Sequence, residues 1–110
     1  MTEFNNTDKN DENDKVEVYE TFDSMNLDDN ILRGIYSYGF EYPSEVQKKG
    51  IVAVINGQDT IVQAQSGTGK TATFSISLLS KITKEEKIQG VIISPTRELA
   101  TQSFKVIQSI

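Results

Sequence analysis

Ala64-Gln65-Ser66-Gly67-Thr68-Gly69-Lys70-Thr71 follows an apolar run, Thr60 to Ala64, that suits a short buried strand. It precedes a helical stretch from about Gly69 to Ile82, with Phe74, Leu78 and Ile82 along one side. Small residues at a strand-to-helix junction let the backbone close around a phosphate group. The N–H groups at the helix start then face an anion that the helix dipole favours. Gly67 and Gly69 serve that geometry. The Lys70 ammonium can reach β- and γ-phosphates, and the Thr71 hydroxyl is placed to ligand Mg²⁺, whose other ligands would be phosphate oxygens and water. The spacing is that of a Walker A loop, with Ala64 in the place usually taken by glycine. An ordinary glycine-rich turn with a solvated lysine is the plain alternative; Lys-Thr at the correct offset favours the phosphate site.

Downstream, Gly90 to Ser94 reads as a second strand. It leads through Pro95 into a helix, Arg97 to Ile110, with Leu99, Val106 and Ile110 on one face. Strand, helix, strand, helix predicts an α/β fold, the beginning of a parallel sheet. Upstream, Asp28 or Asn26 can cap a helix carrying Ile31, Leu32, Ile35 and Tyr36 and stopping at Gly39. Pro43 and Ser44 open another helix through the capping-box pattern Ser44-Glu45-Val46-Gln47, and Gly57 suits the position just past its end. Gly50 in that helix costs about 1 kcal/mol relative to Ala. Order is expected from Tyr19 to Phe22 onward.

The chain has 110 residues, room for one domain at most. Its hydrophobic fraction, 36%, is below the roughly 45–50% of globular chains, so part of it is expected to be unfolded. Residues 1–15 are mostly Asn, Asp, Glu and Lys, too polar to offset the entropy of ordering. Residues 1–21 carry seven acids and two lysines, which accounts for the whole net charge of −5. The remaining body is neutral, so any nucleic acid must be held by a few placed groups rather than by bulk attraction. With no cysteine and no histidine there is no disulfide-linked partner, thiolate nucleophile, Cys-type zinc site or serine triad. The longest apolar stretch, Gly50 to Ile55, is far short of the ~20 residues of a membrane helix, and the N-terminus is too polar for a signal peptide. An intracellular protein with no membrane partner is expected.

Three segments in fixed order carry a resemblance. Gly39-Phe40-Glu41-Tyr42-Pro43-Ser44-Glu45-Val46-Gln47, with Phe22 lying 17 positions ahead of Gly39, closely resembles the Q motif of DEAD-box RNA helicases. Ala64 to Thr71 resembles motif I of that family, and Pro95-Thr96-Arg97-Glu98-Leu99-Ala100 with Gln102 resembles motif Ia. Within the family, Phe22 to Ser94 is most similar to the eukaryotic translation initiation factor four-A type. The resemblance implies a RecA-like P-loop NTPase sheet and an ATP-dependent RNA helicase, an ATP hydrolase, with ATP and Mg²⁺ as cofactors. RNA is the implied partner, with translation initiation factors as further partners, and the implied location is cytoplasmic, with the nucleus left open.

By residue type alone Gln47 serves either as the capping-box glutamine or as a carboxamide pairing with adenine N6–H and N7; the resemblance implies the second. It likewise implies that Phe40 stacks on the base, that Phe22 supports the pocket, and that Tyr42 belongs to the same nucleotide-binding segment. Gln65, Ser66 and Thr68 join Ala64, Gly67, Gly69, Lys70 and Thr71 in the phosphate loop. Lys70 and Thr71 are the catalytic pair, and Pro95, Thr96 and Arg97 hold RNA phosphates without reading bases. Glu45 stands where the family usually has a small residue and Tyr42 where lysine is common, which should weaken nucleotide affinity. The Asp-Glu-Ala-Asp motif, the Ser-Ala-Thr motif and the second RecA-like domain are not among these residues, and only two strands are expected against about five or six in an average sheet. The chain is therefore expected to divide into an acidic tail (1–19), a Q-motif segment (20–48) and the beginning of a helicase ATP-binding domain (49–110) that stops before the Walker B motif. It is expected to be inactive alone. The rival reading is a non-catalytic truncated binding fragment.

Overall fold

Helix ends in this chain are set by local chemistry, and the computed structural model, which describes residues 16–110 and the backbone of Glu3–Asn6, follows it closely. The Asp28 side chain accepts the Asn30 N–H at 2.9 Å and starts α1, Asp29–Tyr38. Gly39, in the left-handed region at φ 110°, ends it by donating to Ile35 and Tyr36 carbonyls. Helix α2, Glu45–Ile55, opens on the complete capping box: Ser44 Oγ accepts from Gln47 N, and Gln47 Oε1 accepts from Ser44 N. Gly57, at φ 84°, follows Asn56 just past its end. Strand β2, Thr60–Gln63, leads into the loop before α3, Lys70–Lys81, and α4, Arg97–Ser109, is capped by Thr96 Oγ1 accepting from Leu99 N at 3.2 Å.

The core is helical. Ile35 of α1, Ile51 and Val52 of α2, and Ala72 and Ile76 of α3 bury against Phe22, Met25 and Leu27. The segment ahead of α1 thereby becomes structural: the Tyr19 N–H donates to the Lys48 carbonyl at 3.0 Å, and Phe22 is fully buried. Burying such a side chain stabilises by about 1.5–3 kcal/mol. Two expected apolar faces differ from the observed ones. On α3 the face turned inward carries Ala72, Thr73, Ser75, Ile76 and Ser77, while Phe74 and Ile82 are exposed. Small residues let α3 approach α2 closely, and the hydroxyls of Thr73, Ser77 and Ser80 return to carbonyls one turn back. On α4, Leu99 is 43% exposed, whereas Val106 and Ile110 are half-buried.

The sheet departs furthest from expectation. The described residues form one two-stranded antiparallel ladder, β1 (Glu3–Asn6) on β2, with Glu3 opposite Gln63 and Asn6 opposite Thr60. No parallel pairing occurs among them. β2 is not a buried strand, since Ile61 is 50% exposed. Gly90–Ser94, expected as the parallel partner, forms no regular secondary structure and makes no ladder, and Val91 and Ile93 stand 75% and 91% exposed. Gly90 is pressed instead against Leu78 of α3, where an added Cβ would lie 2.3 Å from Leu78 Cδ1. The start of the segment thus packs on α3, and the segment is not laddered to β2. Within the stretch expected to be a disordered tail, Glu3–Asn6 supplies main-chain partners to the β2 edge; residues 1–2 and 7–15 lie outside the described residues. What is present is a partial α/β core, helices around one strand of the expected sheet.

Candidate nucleotide-binding site

Among the described residues three of the four α-helices begin under a side-chain cap, at Asp28, Ser44 and Thr96, and α3 does not. Its N-cap is Gly69 at φ 97°, ψ 22°, with no side chain to accept the first amides. Four N–H groups at a helix start lack intrahelical partners, and here they carry the positive end of the helix dipole into the loop. Gly67, at φ 81°, gives the loop its second left-handed residue. Thr68 Oγ1 donates to the Gln65 carbonyl at 2.7 Å and braces the turn, and Lys70 Nζ donates to the Ala64 carbonyl at 2.7 Å, drawing its ammonium across the loop's mouth. These two bonds close the turn between Ala64 and Lys70.

The Gly69 carbonyl is the point where the upstream segment meets this loop. It accepts from Thr73 N (3.0 Å), Thr73 Oγ1 (2.8 Å) and Gln47 Nε2 (3.4 Å). Gln47 is 2% exposed and spans two elements: its oxygen closes the capping box of α2 and its nitrogen reaches the loop ahead of α3. The capping-box role is therefore realised, and the same side chain holds the phosphate loop. Ser44, expected as the cap of α2, also takes part in this junction, and so does Thr73, which was not singled out from the sequence. The available signal was the glycine itself, since a Cβ at position 69 would lie 2.6 Å from Gln47 Nε2 and 3.0 Å from Ser44 Oγ.

A cleft of about 1130 Å³ runs between α3, α4 and the Gly90–Ser94 segment. Of the expected site residues it is lined by Phe40, Ser66, Gly67, Gly69, Lys70, Thr71 and Pro95, and also by Tyr38 and Gln102. Phe22, Tyr42, Gln47, Ala64, Gln65, Thr68, Thr96 and Arg97 do not line it. Phe22 sits behind the site, its ring tilted against Phe40 at 6.4 Å and edge-on to Tyr36 at 6.2 Å. Tyr42 is 77% exposed. Pro95, Thr96 and Arg97 form an exposed corner at the start of α4. Thr96 is engaged there as the helix cap, and Arg97 has no ion-pair partner among the described residues.

Two phenols are pushed above their ordinary value, half-buried Tyr19 by its hydrogen bond to Glu17 and exposed Tyr36 by its hydrogen bond to Asp23. The Lys48 ammonium is also raised, chiefly by bonding Glu20 and then Glu45. The Tyr36–Asp23 and Lys48–Glu20 contacts fasten the segment around Phe22 to α1 and α2, while Tyr19–Glu17 stays within that segment.

A strand, a glycine-rich loop with Lys70 bonded to the Ala64 carbonyl, an uncapped helix and two aromatic rings on the same cleft make a candidate phosphate-loop site. Residues 44–110, more than half of the chain, match the family model described as DEAD/DEAH box helicase, and the chain belongs to that family. It is 58% identical over 97 residues to the ATP-dependent RNA helicase FAL1 of Meyerozyma guilliermondii, covering 87% of this chain and 24% of that protein. Among solved structures it resembles a DEAD box protein from the hyperthermophile Methanococcus jannaschii (TM-score 0.76, 39% identity, 84% of this chain and 26% of that one). It also resembles S. cerevisiae Dbp5 bound to RNA and ADP BeF3 (TM-score 0.72, 35% identity, 83% and 24%). The chain spans about a quarter of the length of the curated relatives it matches. The partial fold is thus that of a RecA-like helicase core.

Proposed function

We propose that this chain provides the ATP-gripping part of an ATP-dependent RNA helicase. The observation that carries the reading is the N-terminus of α3: no side chain caps it, Gly69 opens it, and Lys70 stands at its mouth. A polyphosphate there would accept from the free amides and replace the Ala64 carbonyl as the partner of Lys70, a charge-assisted exchange. Thr71, beside Lys70 in the cleft, would hold Mg²⁺ together with phosphate oxygens and water. Bound there, the ion would neutralise charge developing on the transferred phosphoryl group. Among the described residues no cluster of three His, Cys, Asp or Glu could hold a metal ion, so the ion would come with the nucleotide.

Phe40, half-buried on the rim of the cleft, offers a ring for the base. Gln47 keeps one amide hydrogen and one lone pair beyond those it spends on Gly69 and Ser44, enough for one donor and one acceptor contact with adenine. Arg97 and the corner at Pro95 and Thr96 would take RNA phosphates; the similar Dbp5 structure, bound to RNA and ADP BeF3, supports both ligand classes. A role in translation initiation, with initiation factors as partners and a cytoplasmic location, is the finer reading. It rests on the similarity of Phe22–Ser94 to initiation factor four-A; relatives named ATP-dependent RNA helicase FAL1 support the RNA helicase part of the reading. No helix among the described residues is long and apolar enough to cross a membrane.

Amide chemical shifts of the ¹⁵N-labelled chain test the reading. Added MgADP should move the Gly67, Gly69, Lys70 and Thr71 resonances and leave those of Gly57 and Glu85 in place. Uniform small shifts, or none, would dismiss it.

A further inference from the structure

Phe40 has aromatic neighbours on two sides. Phe22, fully buried, lies toward the core with ring centroids 6.4 Å apart and planes at 51°. Tyr38, 43% exposed, lies toward solvent with centroids 5.0 Å apart and planes at 27°. The second arrangement is the offset stack that aromatic rings favour, and it is the arrangement a purine would adopt on the same ring.

The backbone explains why Tyr38 is there. Tyr38 is the last residue of α1, Gly39 turns the chain at φ 110°, and the Phe40 N–H donates to the Ile35 carbonyl at 3.3 Å. The two rings on either side of this tight turn are brought face to face. Tyr38 differs from its neighbours in attachment. The hydroxyls of Tyr19 and Tyr36 are bonded to Glu17 and Asp23, whereas among the described residues the Tyr38 hydroxyl has no partner. No hydrogen bond among the described residues ties its ring, which lines the same cleft as Gly67, Lys70 and Thr71.

We infer that Tyr38 is a gate for the nucleotide base: its ring covers the solvent-side face of Phe40 that a purine needs, and a bound nucleotide must displace it. This rests on the phosphate-site reading above. A nucleotide therefore binds more weakly than the open ledge would allow, by the strength of one aromatic pair, while a polyphosphate without a base binds unhindered. Tyr38 acts through Phe40 and is a positioning residue.

The test uses the whole 110-residue chain as wild type, Tyr38→Ala, Tyr38→Phe, Phe40→Ala and the double variant, titrated calorimetrically with MgADP and with magnesium tripolyphosphate. Tyr38→Ala should tighten ADP about two- to tenfold, the strength of an aromatic pair. Tyr38→Phe, which keeps the ring, should match wild type. Tripolyphosphate should bind all variants alike, and Tyr38→Ala should have no effect on ADP once Phe40 is removed. Tripolyphosphate binding with unchanged ADP affinity in Tyr38→Ala would overturn the gate and leave the phosphate site standing. Weaker ADP binding in that variant would also overturn it, making Tyr38 part of the base's own stack. Failure of tripolyphosphate to bind any variant would remove the phosphate site and the gate together.

Discussion

Replacing Gly69 by alanine should damage this chain more than the same change at Gly67, although both glycines lie in one loop and both are left-handed. At Gly67, φ is 81° and nothing lies within 4 Å of an added Cβ, so the cost is the backbone alone, about 1–2 kcal/mol for a residue carrying a Cβ. At Gly69 the backbone cost is similar, at φ 97°, and the Cβ also falls 2.6 Å from Gln47 Nε2 and 3.0 Å from Ser44 Oγ. Gln47 is the far end of a flexible side chain, but it is buried and held at both ends. Moving it gives up its bond to Gly69 and disturbs the capping box, at about 0.5–1.5 kcal/mol for each hydrogen bond. Gly69→Ala should therefore cost about 2–4 kcal/mol, a large share of the roughly 5–15 kcal/mol available to a domain. Urea denaturation followed by far-ultraviolet circular dichroism measures both variants. A third comparison isolates the cause: in a Gln47→Ala background, the excess cost of Gly69→Ala over Gly67→Ala should shrink to what the remaining Ser44 Oγ contact at 3.0 Å imposes. Equal losses for the two glycines in the wild-type background would refute the reasoning, because the junction between α2 and the phosphate loop would then bear no energy.

Gln47→Glu should weaken both folding and adenine binding: a carboxylate can still accept from Ser44 but sets an oxygen against the Gly69 carbonyl and has no hydrogen to donate to adenine N7. Its urea midpoint should fall, and its ATP preference over GTP, read by competition against a fluorescent nucleotide, should shrink; an unchanged preference would return Gln47 to a purely capping role. Alkali should loosen the segment around Phe22. Tyr19, Tyr36 and Lys48 all have folded values raised above the ordinary 10.0, 10.0 and 10.5, so the stability they contribute is complete below those values and is lost as pH rises through the raised ones. The drop in urea midpoint from about pH 9 to about pH 11.5 should be smaller in Tyr36→Phe than in wild type, and equal drops would contradict the Asp23 contact. Purified residues 1–110 should release no phosphate from ATP in response to RNA, and RNA-dependent release free of contaminating helicase would show that these residues contain more of the catalytic machinery than Lys70 and Thr71.

The helices were legible because their signals are local. Asp28, the Ser44 to Gln47 box, Gly39 and Gly57 each act within a turn of the backbone they cap, so type and spacing suffice. The strands were less so. A ladder depends on a partner far away in sequence, and Gly90–Ser94, apolar enough to be a strand, begins against Leu78 while β2 pairs with Glu3–Asn6. The buried face of α3 was misjudged for a related reason: Phe74, Leu78 and Ile82 make the more apolar stripe, but close approach to α2 selects the side with Ala72, Ser75 and Ile76. Within the site, the loop and Lys70 stood out by spacing. The bond from Gln47 to Gly69 and the stack of Tyr38 on Phe40 join residues that only the folded backbone brings together.

The role of α3's open N-terminus is tested most directly by titrating the 110-residue chain and its Lys70→Ala variant with MgATP under identical conditions. The wild-type chain should bind saturably, and the variant, lacking a charge-assisted bond worth about 1.5–3 kcal/mol, should bind about ten- to a hundredfold more weakly, with a urea midpoint lowered only by loss of the bond to the Ala64 carbonyl. Equal affinity in the two proteins would mean that the nucleotide sits elsewhere and that the loop from Ala64 to Thr71 is only a turn.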